Sequence, residues 1–486
     1  MQFLSDIPPA ALFFAAVGAV VVIGGILVNL RWALAAFAIM VFASSISYSV
    51  NPFTDELITT LFTPIQLYRN FIYMFGGGLC YLAIAAHLGQ FNRTSLNANG
   101  LFLIAIATYA AMIRMLMGYF EVGLLSLALA VFSIVPLVLV LPNLIQRRDQ
   151  IHMLMRWVLL AMGIWIIMNT IQFLVNPAVL YPSQSGRFQG LTGNPQFAAV
   201  LTAFATVMTA WVALNDPSKV VRLFAIATAT ALGICIVWTG SRTGFGMVVV
   251  GMSIILASRA GQAVLFLPIV GAFALFFLQY VIGSDATIDA SRLVSTQNTR
   301  AGSWQAQIST FLANPLFGTG NPNEAGASEN SYLLSFSAFG VFMGALVLTF
   351  AAVSGAFVLR LFRNRRREDK LGKAMTDLAI AGIVMYFAGA FFEGFIMARV
   401  HSATTFLIIA GTIGHRLLDT THERHGAATA TALEHDAYEH EDEHHPPVVP
   451  ADEHVYLPED DAHPRENVWA PEDDWAEHYD DQRVSN

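Results

Sequence analysis

Apolar runs long enough to cross a bilayer, each bounded by a short polar turn, recur along the chain from Ala10 to Leu418. A helix needs about 20 mostly apolar residues to span the hydrocarbon, because every backbone N–H and C=O there must be satisfied inside the segment. Thirteen segments fit: Ala10–Leu30, Trp32–Val50, Leu67–His87, Leu101–Gly118, Val122–Leu141, Leu154–Val175, Gln196–Leu214, Val221–Trp238, Thr243–Ser258, Ala263–Ile282, Ser331–Leu359, Met375–Phe392 and Val400–Leu418. The pattern predicts an all-α polytopic membrane protein with about 12–13 transmembrane helices over residues 1–418. The span ending at Ser258 is short and the one starting at Ser331 is long, so tilt or an interfacial extension is expected at both.

Two stretches depart from the pattern. Residues 283–330 make one long loop, in which Trp304, Ile308, Phe311 and Leu312 recur at i, i+4, i+7 and i+8. That stripe predicts an amphipathic helix, opened by Arg300, lying against the membrane or the bundle. Residues 419–486 have no apolar period at all; they hold 20 Asp or Glu against 3 Arg, and 9 of the 13 histidines. Such a composition predicts a disordered acidic tail. Metal capture by its EHEDEHH stretch is a weaker reading than a solvated or partner-docking segment.

Composition sharpens the class. Hydrophobic residues make up 55% of the chain, charged residues 12%, and the mean hydropathy is +0.56; a soluble domain carries about 25% charged residues. The lipid bilayer is the expected surrounding, and no nucleic acid is an expected partner. Met1 to Asp6 lacks a basic stretch, so no cleavable signal peptide is expected. Cys80 and Cys235 lie inside apolar runs without Cys/His spacing, which indicates neither disulfide nor zinc site.

The basic residues set an orientation. The cluster Arg363, Arg365, Arg366, Arg367, Lys370 and Lys373 marks a cytoplasmic loop. Alternation from there puts 16 basic residues inside and 7 outside, with the N-terminus outside and the tail inside. The outer seven are Arg69, Arg114, Arg187, Arg242, Arg292, Arg300 and Arg399. Arginine there opposes the charge bias and costs a few kcal/mol near hydrocarbon, so each needs a reason. For Arg69, Arg114, Arg292 and Arg399, snorkelling or pairing with an acid such as Glu121 or Glu393 suffices. Arg187, Arg242 and Arg300 sit in Gly- and Pro-broken turns or on the loop helix, and a set of converging guanidiniums suits an anion such as a diphosphate.

Four blocks in order, GRFQGLTGNPQFAA, WTGSRTGFGMVVVG, NTRAGSWQAQISTFLANPLFGTG and SENSYLLSFSAFGVFMG, resemble the O-antigen ligase and Wzy-type polysaccharide polymerase superfamily of bacterial membrane glycosyltransferases. The resemblance covers the second half of the membrane portion. It implies a GT-C-like enzyme in the bacterial inner (cytoplasmic) membrane, with its active site facing the periplasm and no metal ion or other cofactor. Its donor would be an undecaprenyl-diphosphate-linked glycan, and Arg187, Arg242 and Arg300 would bind the diphosphate. Ligases of this group place a His before the Asn of the last block, where this chain has Glu329 ahead of Asn330. That departure favours polymerisation of exopolysaccharide, capsule or O-antigen repeat units over ligation to lipid A core.

Positioned cations in a water-poor site stabilise a departing diphosphate, and a carboxylate within reach can take the acceptor hydroxyl's proton. Arg300 and Glu329 are the catalytic candidates, with Glu324 as a competing base. Trp304, Asn330 and Tyr332 are candidate sugar contacts. No second carboxylate of the retaining kind is evident, so inversion is expected. Expected partners are the donor, a glycan acceptor, and a chain-length regulator or other membrane proteins of the assembly pathway. A transporter or flippase of lipid-linked oligosaccharide remains the alternative from another class, since broken helices and intramembrane charge occur there too.

Overall fold

The computed structural model describes residues 9–50, 57–90, 98–181, 186–260, 300–325, 329–397 and 401–419. All of them belong to the first of two units into which the chain divides, Met1–His425 and Gly426–Asn486. The expected span Ala263–Ile282, the loop before Arg300 with Arg292, Arg399, and the tail after Asp419 lie outside the described residues.

The helices, numbered in chain order, are α1 (Pro9–Val28), α2 (Ala33–Ser44), α3 (Thr63–Leu67), α4 (Arg69–Ala86), α5 (Ala98–Leu116), α6 (Phe120–Leu144), α7 (Arg148–Val175), α8 (Pro195–Asn215), α9 (Lys219–Thr239), α10 (Arg242–Ala260), α11 (Ala301–Ala313), α12 (Ser331–Arg365) and α13 (Lys370–Phe392). A further helix, α14, covers 402–419. Among the described residues the fold is all-α apart from a two-residue antiparallel pairing, Ser49–Val50 on Leu57–Ile58. Seven described helices, α5 to α9 with α12 and α13, are long and apolar enough to cross a membrane.

Burial ranks these helices. Within its most apolar window α8 is 83% buried and α13 is 72% buried, whereas α9 is only 28% buried. α8 and α13 are therefore central, and α9 presents Val220, Leu223, Phe224 and Ile226 outward, as a helix facing lipid should. Hydroxyls inside α8 return to their own helix: Thr202, Thr206 and Thr209 donate to the carbonyls of Ala198, Thr202 and Ala205. These three hydroxyls are thereby satisfied in the apolar interior without a partner from another helix.

Two expected spans change length. The segment expected over Trp32–Val50 is helical only to Ser44, because Ser44 and Ser45 both turn their hydroxyls back onto the Val41 carbonyl. After that point the chain leaves the helix and Ser47 N–H donates to Leu191 O at 2.7 Å. The long span is longer still: α12 runs 35 residues and contains one non-helical residue, Gly340, at φ 80 and ψ −175.

One end of the bundle is closed by ion pairs. Arg148 at the head of α7 donates to Glu368 and Asp369 at 2.7 Å each. Arg156 meets Asp216 at 2.7 Å and Arg365 meets Asp377 at 2.5 Å. Arg187, Arg242 and Arg300 lie at the opposite end, where α9 and α13 finish and α8, α10, α12 and α14 begin.

Candidate active site at the arginine end of the bundle

The turn between α9 and α10 is the floor of this end. Thr239 closes α9, Gly240 adopts the left-handed conformation at φ 57, and α10 starts at Arg242. The Ser241 hydroxyl accepts from Gly244 N–H at 3.2 Å, capping the new helix. Ahead of α8, Asn194 caps through its side-chain oxygen, which accepts from Gln196 N–H at 2.7 Å, and Pro195 occupies the first helical position. Three neighbouring helix starts, α8, α10 and α12, thus turn the positive ends of their dipoles toward the same end of the bundle.

Arg300 occupies the position just ahead of α11, and its side chain reaches across to α10 and the end of α13. Its Nη2 donates to Glu393 Oε1 at 2.9 Å and to Thr243 Oγ1 at 3.2 Å. Its Nη1 donates to the Phe392 carbonyl, and the guanidinium lies 5.5 Å from the centroid of the Phe392 ring, within cation–π range. Arg187 is anchored by Nε, which donates to Thr239 O at 2.6 Å, and its charge also acts on Glu393. Arg242 stands beside Thr243 and is exposed. Burial pushes the Glu393 carboxyl above its ordinary range, while Arg300, Thr243 and Arg187 pull it the other way.

Glu329 lies just ahead of α12. Ser331, two residues on, donates its hydroxyl to the Glu393 carbonyl at 2.6 Å and accepts from Ile396 N–H at 3.2 Å. Glu329 is half-buried, and its Oε2 has no hydrogen-bond partner among the described residues. Glu324 is placed elsewhere: exposed, accepting from Tyr119 O–H at 2.6 Å and from Asn321 at 3.0 Å.

The candidate sugar contacts have structural engagements. Asn330 is buried and caps α12, accepting from Tyr332 and Leu333 N–H at 2.9 and 3.0 Å. The cap engages the side-chain oxygen and leaves the amide NH2 as the group a sugar contact would use. Tyr332 donates to Phe387 O at 3.2 Å. Trp304 packs edge-on against Phe391 at 5.7 Å, and its buried indole N–H has no partner among the described residues.

The loop helix docks on the bundle through one flank of the expected stripe. Trp304, Gln307 and Phe311 turn toward the bundle, Phe311 against Phe336 at 5.2 Å, whereas Ile308 and Leu312 are 46% and 70% exposed. An apolar residue facing lipid gains as much as one facing protein, so periodicity alone cannot say which flank of the stripe docks.

The NPLFGTG segment after α11 explains the break in α12. Val341 N–H donates to Pro315 O at 2.8 Å, Gly320 N–H to Ala338 O at 2.8 Å, and Thr319 N–H to Ser337 O at 3.2 Å. Backbone groups released by the kink at Gly340 are thereby satisfied by another stretch of backbone, the condition for non-helical chain at membrane depth.

Sequence reasoning assigned Glu393 as a partner for other arginines and did not single out Thr243. Glu393 is the only acid between Asp377 and Asp419, and a lone carboxylate in an apolar stretch is itself a signal. Arg114 does not join the cluster. It donates to Ser126 at 2.9 Å, lies 5.2 Å from the centroid of the Phe339 ring, and lines a cavity of about 40 Å³ with Tyr73, Ser133 and His401.

A bundle of apolar helices with a polar, arginine-bearing end defines a multi-pass membrane protein. Residues 226–345 match the family model described as O-antigen ligase. This stretch is thus similar to the O-antigen ligase domain, in agreement with the resemblance of the sequence blocks, and the similarity supports an enzyme of the glycan ligase or polymerase type. The match takes in Arg242, Arg300, α11, the NPLFGTG segment and Glu329. No curated protein matches the chain.

Proposed function

We propose that this protein polymerises undecaprenyl-diphosphate-linked oligosaccharide repeat units at the periplasmic face of the bacterial inner membrane. The observation that carries the reading is the ion pair of Arg300 with buried Glu393, close to the α9–α10 turn that holds Arg187 through Thr239 O and starts α10 at Arg242. In this reading the three arginines hold the donor diphosphate and neutralise it as the glycosidic C1–O bond breaks, with no metal ion required. Glu329, with a carboxylate oxygen that no described residue engages, takes the proton from the acceptor hydroxyl. A single displacement at C1 inverts the anomeric configuration and releases undecaprenyl diphosphate. Assembly-pathway membrane proteins, a chain-length regulator among them, are the expected partners.

Ligation to a lipid A core is the second reading, favoured by the description of the matched family as O-antigen ligase. Glu329 in place of the His expected for ligases weighs for polymerisation. The test supplies the purified protein in detergent with a lipid-diphosphate oligosaccharide, with and without lipid A core, and resolves products by length. A ladder without core is expected. One addition onto core establishes ligation instead, and movement of lipid-linked oligosaccharide between leaflets without bond formation overturns both.

A further inference from the structure

Glu393 is held in a way that matters once an anion approaches Arg300. Its side chain is 4% exposed and that of Arg300 is 19% exposed, so the cation can be reached from outside while the carboxylate cannot retreat into water. The backbone of Glu393 is pinned on both sides: its N–H donates to Gly389 O at 2.9 Å, and its carbonyl accepts from Ser331 Oγ at 2.6 Å. The charged and titratable groups around it are Arg300 from the start of α11, Arg187 from the segment before α8, and Glu329 two residues before Ser331. Arg242 stands beside Thr243 on α10, and His401 stacks on Phe395 of Glu393's own segment.

A diphosphate that engages Arg300 and Arg187 takes over the cations that neutralise Glu393 and adds negative charge beside it. A buried carboxylate deprived of its cation is strongly unfavourable, and the pinned backbone closes the escape to solvent. Protonation is the remaining route, and it converts an acceptor that would repel phosphate oxygens into an O–H donor that can bind one.

We propose that Glu393 is an exchangeable counter-charge: a diphosphate arriving at Arg300 and Arg187 displaces its carboxylate, which takes up one proton from solvent, and product release returns the proton as Arg300 recaptures Glu393. The inference rests on the diphosphate reading above and assigns Glu393 a positioning role distinct from that of Glu329. Glu393 itself gains and loses no proton over a full cycle, because the one it takes up on binding leaves on release; the acceptor's proton leaves separately through Glu329.

Inorganic pyrophosphate is the probe, titrated calorimetrically into the full-length protein in detergent, in buffers of different ionisation heat between pH 6 and 8. The wild type takes up about one proton more per pyrophosphate than Glu393→Gln does, a difference that cancels pyrophosphate's own titration. With rising pH the wild type loses affinity more steeply than Glu393→Gln, the ratio of the two affinities changing by up to about tenfold per pH unit. Should Glu393→Gln not fold, infrared difference spectra of the wild type read the same event, as a carboxylic-acid C=O band that appears on adding pyrophosphate. Equal proton uptake in wild type and Glu393→Gln, or no such band, overturns the inference and leaves the diphosphate reading standing. Absence of any pyrophosphate binding by the wild type overturns that reading, and this inference with it.

Discussion

Gly318 and Gly340 each lie against the backbone of the other's segment where NPLFGTG crosses the break in α12, at φ 66 and φ 80. A Cβ on Gly340 would stand 2.0 Å from Leu316 O, and one on Gly318 would stand 2.4 Å from the Ala338 carbonyl carbon. Both contacts are with backbone, which cannot rotate away. The pair lets the loop lie directly on the kink, and the loop in turn ties α11, with Arg300 at its head, to α12, with Glu329 just ahead of it.

Gly340→Ala is therefore expected to destabilise the protein by roughly 2–4 kcal/mol, from left-handed strain together with the clash. Activity should fall with the folded fraction. Gly355→Ala is the control, since Gly355 lies in the helical part of α12 with nothing within 4 Å of an added Cβ. Thermal unfolding in detergent should separate the two variants; equal melting temperatures would refute the argument.

Loss of Arg242 and loss of Arg300 should have different signatures. Arg242 is exposed, so Arg242→Ala should leave stability within about 0.5 kcal/mol while lowering turnover by roughly 10²–10³-fold, the effect of removing one transition-state donor. Arg300→Ala should lower turnover at least as much and also destabilise by roughly 3–5 kcal/mol, because buried Glu393 loses its cation. Turnover and unfolding measured on the same preparations check both. Full activity in both variants would defeat the diphosphate clamp.

Glu329 and Asn330 are neighbours with separable roles. Glu329→Gln keeps the shape and removes the base, so turnover should fall about 10²–10⁴-fold with unchanged stability. Asn330→Ala removes the α12 cap and should cost about 1 kcal/mol of stability. An undiminished rate in Glu329→Gln eliminates it as the base.

Much of this architecture was legible in the residues. Hydropathy located the spans, and the conflict between outer arginine and positive-inside bias pointed to Arg187, Arg242 and Arg300, of which Arg300 pairs with Glu393. Other features were hidden for physical reasons. Ser44 and Ser45 end α2 by hydrogen bonds to Val41 O that hydropathy does not register. The kink at Gly340 depends on hydrogen bonds from a segment some 20 residues away, and one glycine in an apolar run does not announce them. Asn330 also caps α12 through its side-chain oxygen, a role that no periodicity marks.

At the opposite end of the bundle, Asp216 offers a pH test of stability. It ends α8 with its side chain 1% exposed, against Arg156 at 42%. Burial alone would raise its pKa, but the hydrogen bonds from Arg156 and from Ser218 N–H, with the Arg156 charge, hold it below the ordinary carboxylate value. A carboxyl depressed by folding contributes stability that is present above its unfolded pKa, about 3.9, and is lost as pH falls through the folded value. Arg156→Met removes the largest opposing interaction, so desolvation then dominates and the carboxyl titrates at higher pH. The variant is expected to lose roughly 1–2 kcal/mol at neutral pH, discounted because Arg156 is partly solvated, and this gap is expected to close as pH falls, because protonation of Asp216 removes the wild type's ion pair and relieves the variant's unpaired carboxylate. Unfolding in detergent followed from pH 7 to pH 3 measures both, and superimposable acid transitions would show that the pair contributes nothing.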